Sequence, residues 1–363
     1  MANNNKHTGP NVPALRFPEF SGEWEKKCLG DISENISSGK TKSTTTGGKY
    51  VLIGSTGVIG NTSNADYSGN LILVARVGAN AGLINYYSGD CGITDNTLII
   101  KPLDQEKNFC HYVYHYLKHC NLNQFVFGSG QPLITGGMLK RLPIRYGTTD
   151  EINKLSSLFD LLDARIEAQS KIIEDKETLY KAISNILFSH YANSSPTYQL
   201  GDLANLYQPE TIPSTKLSRS GRYLVYGANG IIGRYDKYNH EKSQICLTCR
   251  GNTCGKINFS QPYSWITGNA MVINIDNNTN NIDKRFLYHY MKNYNFTPFI
   301  SGSGQPQIIR STVEKLPVLN VNIQTQKKIA SILDSIVISI DIARKKVDMD
   351  QNVKKYLLEN LFI

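Results

Sequence analysis

Arg76 and Arg250 each stand just before a glycine turn, in ARVGANAGLI (Ala75–Ile84) and TCRGNTCGKI (Thr248–Ile257). A planar guanidinium donates two parallel hydrogen bonds, which suits a phosphate or a guanine edge. Gly78, Gly82, Gly251 and Gly255 would let the backbone come close to a ligand. Asn80, Asn252 and Lys256 lie in the same two turns. Asn96 and Asn269 fall at equal places in ITDNTLII and ITGNAMVI; asparagine there either reads adenine or locks its own turn. The string GSGQP occurs at Gly128–Pro132 and again at Gly302–Pro306, placing Ser129, Gln131, Ser303 and Gln305 in Gly/Ser loops closed by proline. Glutamine can pair with adenine or bind phosphate, and it can also buttress a loop. Side chains shared by both copies cannot read two different sequences. Discrimination is therefore expected from Asn61–Gly69 and Arg234–Lys242, of which only the second carries Arg234, Lys237 and Lys242.

Catalytic motifs are missing. Gly48-Lys49 and Gly255-Lys256 lack the upstream glycine and the following Ser/Thr of a phosphate-binding loop, and HExxH and GxSxG do not occur. The triplets Gly54/Gly57/Gly60 and Gly227/Gly230/Gly233 have GxxGxxG spacing, which reads as tight turns at strand ends. Cys246, Cys249 and Cys254 with His240 make one metal-like cluster, but no second CxxC pair completes it, so no metal is expected.

The elements that must hold these residues are also duplicated. YVLIGSTGVIG (Tyr50–Gly60) returns as YLVYGANGIIG (Tyr223–Gly233), and KRLPI (Lys140–Ile144) as EKLPV (Glu314–Val318), at an offset of 173–174. Short β-prone runs at Tyr50–Ile53, Leu71–Val74 and Thr97–Ile100 and a helix at Phe109–His119 predict small, mostly-β modules. Each module leads into a heptad seam. The first runs Leu155, Phe159, Leu162, Ile166, Gln169, Ile173, Lys176, Tyr180, Ile183, Leu187. The second runs Ile329, Leu333, Ile336, Ile340, Ala343, Val347, Asp350, Lys354, Leu357, Leu361. Two helices of ~60 Å follow, each needing a partner for its apolar stripe. The nearest partner for each is the other, as an antiparallel coiled coil. Thr148-Thr149-Asp150-Glu151 predicts a capping box at the first start.

The fold class expected is α+β, with two pseudo-repeated mostly-β domains separated by two long antiparallel coiled-coil helices. The expected bounds are a disordered tail 1–13, a first domain 14–147, a helix 148–190, a second domain 191–321 and a helix 322–363. The chain has 363 residues and a formal charge of +9. The helical segments are nearly balanced, so the positive excess lies in the modules and favours a polyanionic partner. Seven cysteines at unmatched positions argue against a disulfide framework. With no apolar signal region and no long apolar run, a cytoplasmic protein without a membrane partner is expected.

The ordered set of motifs resembles the specificity subunit of type I restriction–modification systems. PALRFPEFSGEWEKKCLGDI (Pro13–Ile32) and LGDLANL (Leu200–Leu206) look like the entries into its two target-recognition domains. The arginine–glycine turn, GSGQP, the Leu-Pro-[Ile/Val] strand and QKKIASILD (Gln326–Asp334) complete the likeness; Ile152–Asp160 (INKLSSLFD) departs from the Gln-led form. The resemblance implies a non-catalytic subunit that reads a bipartite, asymmetric target on double-stranded DNA. It implies two methyltransferase (modification) subunits that bring S-adenosylmethionine, and restriction motor-nuclease subunits that use ATP and magnesium, with no cofactor in this chain. The paired helices would set the unread spacer, and the target adenine would be flipped out. The recognition subunit of a methyltransferase–nuclease that cuts on both sides of its site would look the same. From other classes, a duplicated nucleotide-using enzyme would bind nucleotide, and a coiled-coil scaffold with β binding modules would lack salt-dependent DNA affinity.

Overall fold

The computed structural model describes residues 11–42, 47–126, 132–192, 195–302 and 304–363. The chain divides into two compact units, residues 1–170 with 345–363 and residues 171–344. Residues 1–10 of the expected tail lie outside the described residues. Asn11 and Pro13 belong to the first unit: Pro13 is buried, and the Trp24 N–H donates to the Asn11 carbonyl at 2.8 Å.

The first unit holds a four-stranded antiparallel sheet in the order Ser33–Ser38, Thr97–Pro102, Asn70–Ala75, Ile84–Ser88. A three-stranded sheet sets Tyr50–Gly54 between Gly57–Thr62, antiparallel, and Cys91–Ile93, parallel. Glu25–Cys28 pairs with Pro143–Tyr146. The second unit repeats the plan. Asn205–Tyr207, Ala270–Asn274, Ile245–Thr248 and Ile257–Phe259 form its four-stranded sheet. Tyr223–Gly227 lies between Gly230–Tyr235 and Trp265–Ile266, and Thr197–Gln199 pairs with Pro317–Leu319. The register shifts at Leu52/Ile53 and at the matching Val225/Tyr226. The GxxG turns close these hairpins, and Gly57 and Gly230 take φ values of 115° and 114°, which a side chain would oppose. Alternation is lost where a strand is covered on both sides: Leu71, Ile72, Leu73 and Val74 are all buried.

The long helices span Thr149–Ala192 and Ile323–Leu361. None of the seam residues is exposed, including the polar ones. In the first unit Phe159 stacks on Phe362 with ring centroids 5.4 Å apart, Asp163 pairs with Lys354, and Asp350 accepts from Arg165 Nε at 2.7 Å. Advancing along one helix matches retreating along the other, so the two run antiparallel. In the second unit Lys176 reaches Ser339, and Arg344 Nη2 lies 2.5 Å from Glu177 Oε1. The polar seam positions Lys176, Asp350 and Lys354 thus mark cross-helix partners, which fix register in a paired seam.

The capping box forms only in half. The Glu151 N–H donates to Thr148 Oγ1 at 3.3 Å, but the Glu151 carboxylate turns away to Arg16. At the second helix start Gln326 is 1% exposed. It donates to the carbonyls of Val321 and Asn281 at 2.7 and 3.0 Å and accepts from the Asp283 N–H at 2.8 Å. That glutamine therefore braces the domain helix Lys284–Asn293 from within.

Both long helices carry a Leu-Phe pair near their ends, Leu187–Phe188 and Leu361–Phe362, and each phenylalanine plugs a domain core. Phe188, near the end of the first long helix, packs edge-on against Phe286 and Tyr290 in the second unit. Phe362 packs on Tyr112, Tyr116 and Phe159 in the first, where the Tyr116 hydroxyl donates to the Ile363 carbonyl at 2.6 Å. Each helix therefore starts beside its own domain and ends inside the core of the other unit.

Candidate nucleic-acid interface

In the first unit the Arg76 N–H donates to the Asn96 carbonyl at 2.9 Å, and the Arg76 carbonyl accepts from Ile134 at 2.9 Å. The Gly78 N–H donates to the Pro132 carbonyl at 3.0 Å, and Val77 bridges Leu133. The arginine turn, Asn96 and the segment following the GSGQP loop therefore meet. Ser129 and Gln131 lie outside the described residues. The second unit builds the same junction. Gly251 N–H donates to the Pro306 carbonyl at 2.9 Å, Ile308 to Cys249 at 3.0 Å, and Arg250 bridges Gln307. Gln305 is exposed and Ser303 lies outside the described residues.

This register shows that Arg76 and Arg250 are not equivalent. Aligned on their glycines, Val77 matches Arg250 and Arg76 matches Cys249. One position along extended backbone turns a side chain to the opposite face. Arg250 is accordingly exposed, whereas Arg76 is half-buried, with a buried Nε that has no partner among the described residues. The shared Arg…Gly wording hid a change of face between the copies.

The grooves beside the two junctions lie at different places in the repeat. Asn96 borders an open groove of about 590 Å³ with Lys40, Lys42, Ser55, Thr56 and Ile59. Arg250 borders one of about 530 Å³ with Tyr207, Gln208, Gln307 and Arg310. Lys40, Lys42 and Arg310 were not legible as site residues, because the loops that carry them are distant in sequence from the turns they join. Asn80 is exposed and lines a separate groove with Tyr114 and Lys118. Asn252, Lys256 and Asn269 are exposed; the Asn269 main-chain carbonyl accepts from Cys249 Sγ at 3.4 Å.

Arg234 is exposed but bent onto its own hairpin, with Nη1 3.3 and 3.4 Å from the carbonyls of Gly221 and Arg222. Lys237 is exposed; neither residue lines the Arg250 groove. Both hairpins present apolar tips: Val58 and Ile59 are 69% and 51% exposed, Ile231 and Ile232 58% and 50%.

His240 and the cysteine cluster serve packing. Cys246 is buried, which pushes its thiol up to about 12, and His240 bonds Tyr207 and Asn239. All seven cysteines are free thiols.

The description "Type I restriction modification DNA specificity domain" fits the chain twice, over residues 21–175 and 195–348. The chain belongs to this family. A putative type I restriction enzyme specificity subunit of Haemophilus influenzae is 29% identical over 142 residues, 38% of this chain and 36% of that protein. The type I restriction enzyme EcoprrI specificity subunit of Escherichia coli is 22% identical over 183 residues, 48% of this chain and 44% of that protein. The matched stretches thus span under half of either relative. The crystal structure of a type I restriction-modification S subunit from M. genitalium has the same fold, with a TM-score of 0.72 at 20% identity over 97% of this chain and 99% of that one. The two specificity-domain matches coincide with the two copies of the sheet plan. No described helix is long and apolar enough to cross a membrane.

Proposed function

We propose that this chain is the non-catalytic DNA-reading subunit of a type I restriction–modification complex, and that each domain reads one half of a bipartite, asymmetric duplex target. The observation that carries this reading is one scaffold built twice, with grooves edged by basic side chains at different places on the two copies. Asn96 stands with Lys40 and Lys42 in one groove, and Arg250 with Gln307 and Arg310 in the other. Lysine and arginine hold phosphates, while arginine, asparagine and glutamine read base edges. The exposed hairpin tips Val58–Ile59 and Ile231–Ile232 supply apolar contact of the kind a thymine methyl group takes.

Two methyltransferase subunits dock on the outward faces of the long helices, where Leu161, Ile186 and Met349 are 71%, 67% and 66% exposed. Those subunits bring S-adenosylmethionine, and motor-nuclease subunits use ATP and magnesium. The complex works in the cytoplasm, and the antiparallel helix pair fixes the spacer between half-sites. The domain bounds that fit this reading are 14–147 and 191–321.

Arg250→Ala, measured in the assembled complex, is expected to weaken binding to the cognate duplex by about 1–3 kcal/mol and to relax selectivity in one half-site. A uniform loss across all sequences, with a shallower salt dependence, would assign Arg250 to phosphate instead. Unchanged affinity at matched salt would remove it from the interface.

A further inference from the structure

His111 and His115 lie one turn apart on the domain helix Lys107–His119, and both aim a ring nitrogen at Asp160 of the first long helix. His111 Nδ1 is 2.6 and 2.7 Å from the two carboxylate oxygens, and His115 Nε2 is 3.2 Å from one of them. One ligand atom from each residue falls within 4.8 Å of the other two. His115 is 1% exposed, while the side chains of His111 and Asp160 are 14% and 31% exposed. The cluster is therefore built into the unit but open on one side to water.

The duplicated copy shows what such a cluster needs. Asp334 and His289 occupy the places of Asp160 and His115, at 2.8 Å, and Arg285 stands where His111 does. Arg285 Nε lies 2.9 and 3.0 Å from the two Asp334 oxygens. A fixed cation thus bridges domain helix and long helix in the second unit. In the first unit an imidazole replaces that guanidinium. Lys354, on the facing helix, is engaged by Asp163. Two imidazoles and a carboxylate, converging with one open side, form the donor set of a three-ligand zinc site with water as the fourth ligand.

We propose that His111, His115 and Asp160 bind one divalent transition-metal ion of the zinc class, which pins the first domain to its long helix as Arg285 does in the second. Small side-chain adjustments suffice, since ligands about 2.0–2.2 Å from a tetrahedral ion sit a little over 3 Å apart. The ligands bind as neutral imidazoles and carboxylate; any proton carried by an imidazole leaves to solvent, and no electron is transferred.

The test uses the full-length chain stripped with chelator. Zinc alone is titrated and bound metal counted after dialysis, and cobalt is used as a spectroscopic probe. One zinc per chain is expected, along with a cobalt d–d spectrum lacking the near-ultraviolet thiolate charge-transfer band. His111→Arg, which installs the arrangement of the second unit, is expected to keep its helical circular dichroism and bind no metal. Asp160→Asn provides a second variant with the same expected loss. A wild-type chain that retains no zinc would overturn the proposal. So would a thiolate band, or one zinc retained in both variants, which would place the ion on the cysteines or elsewhere.

Discussion

Exchanging residues 197–320 for the corresponding module of another specificity-domain protein changes one half of the methylated motif and leaves the other half and the spacer as they were. The structure favours this cut. The Asn320 N–H donates to the Pro196 carbonyl at 2.9 Å, and Thr197–Gln199 pairs with Pro317–Leu319, so the module's two ends meet. It meets the helices through Phe286 and Tyr290 around Phe188, Arg285 on Asp334, the Asp283 N–H on Gln326, and His289 between Tyr180, at 2.8 Å, and Asp334. Burial pushes His289 down to about 4, so it stays neutral at neutral pH and holds both partners. A donor module that keeps Arg285, Phe286, His289 and Tyr290 should seat without repacking the seam. Sequencing the methylome of cells carrying the hybrid reads the outcome. Changes in both half-sites would mean that the domains do not read independently.

The second large effect concerns the core. Arg16 and Glu151 have side chains 2% and 1% exposed. The guanidinium donates to both carboxylate oxygens at 2.8 Å, and Trp24 Nε1 adds a third bond at 3.1 Å. A side chain on Gly147 would press against this carboxylate, at 1.9 Å from its Oε2, so the glycine is the counterpart of the buried charge. Glu151→Ala strands Arg16 without its partner and costs about 3–5 kcal/mol. For a unit of this size that is a fall in Tm of roughly 10 °C. Glu151→Gln keeps an acceptor for Trp24 and loses less. Calorimetry of the full chain measures it; a loss under about 1 kcal/mol in the alanine variant would mean that water reaches the pair.

The sequence disclosed whatever depended on spacing. The heptad seams, the β runs and the duplication all carry through, because burial repeats with the period of the backbone. It hid whatever depended on contacts between distant segments. Glu151 stands at the third helical position and reads as a cap, while its partner lies 135 residues earlier. His111, His115 and Asp160 are split between two elements and look unremarkable along the chain. Nor does the chain alone show that Phe188 and Phe362 enter domain cores. The pairing of Arg76 with Arg250 failed by one residue, which on extended backbone is a change of face. The GSGQP motif was legible as a repeat, and its first copy falls largely outside the described residues.

Two unlike reading surfaces that address one duplex would make the methylated motif bipartite. Methylome sequencing of a strain with and without this chain tests it most directly. A motif is expected that vanishes with the chain and consists of two different short half-sites divided by a constant run of unread bases. One uninterrupted motif, a gap of variable length, or methylation that persists without the chain would contradict it.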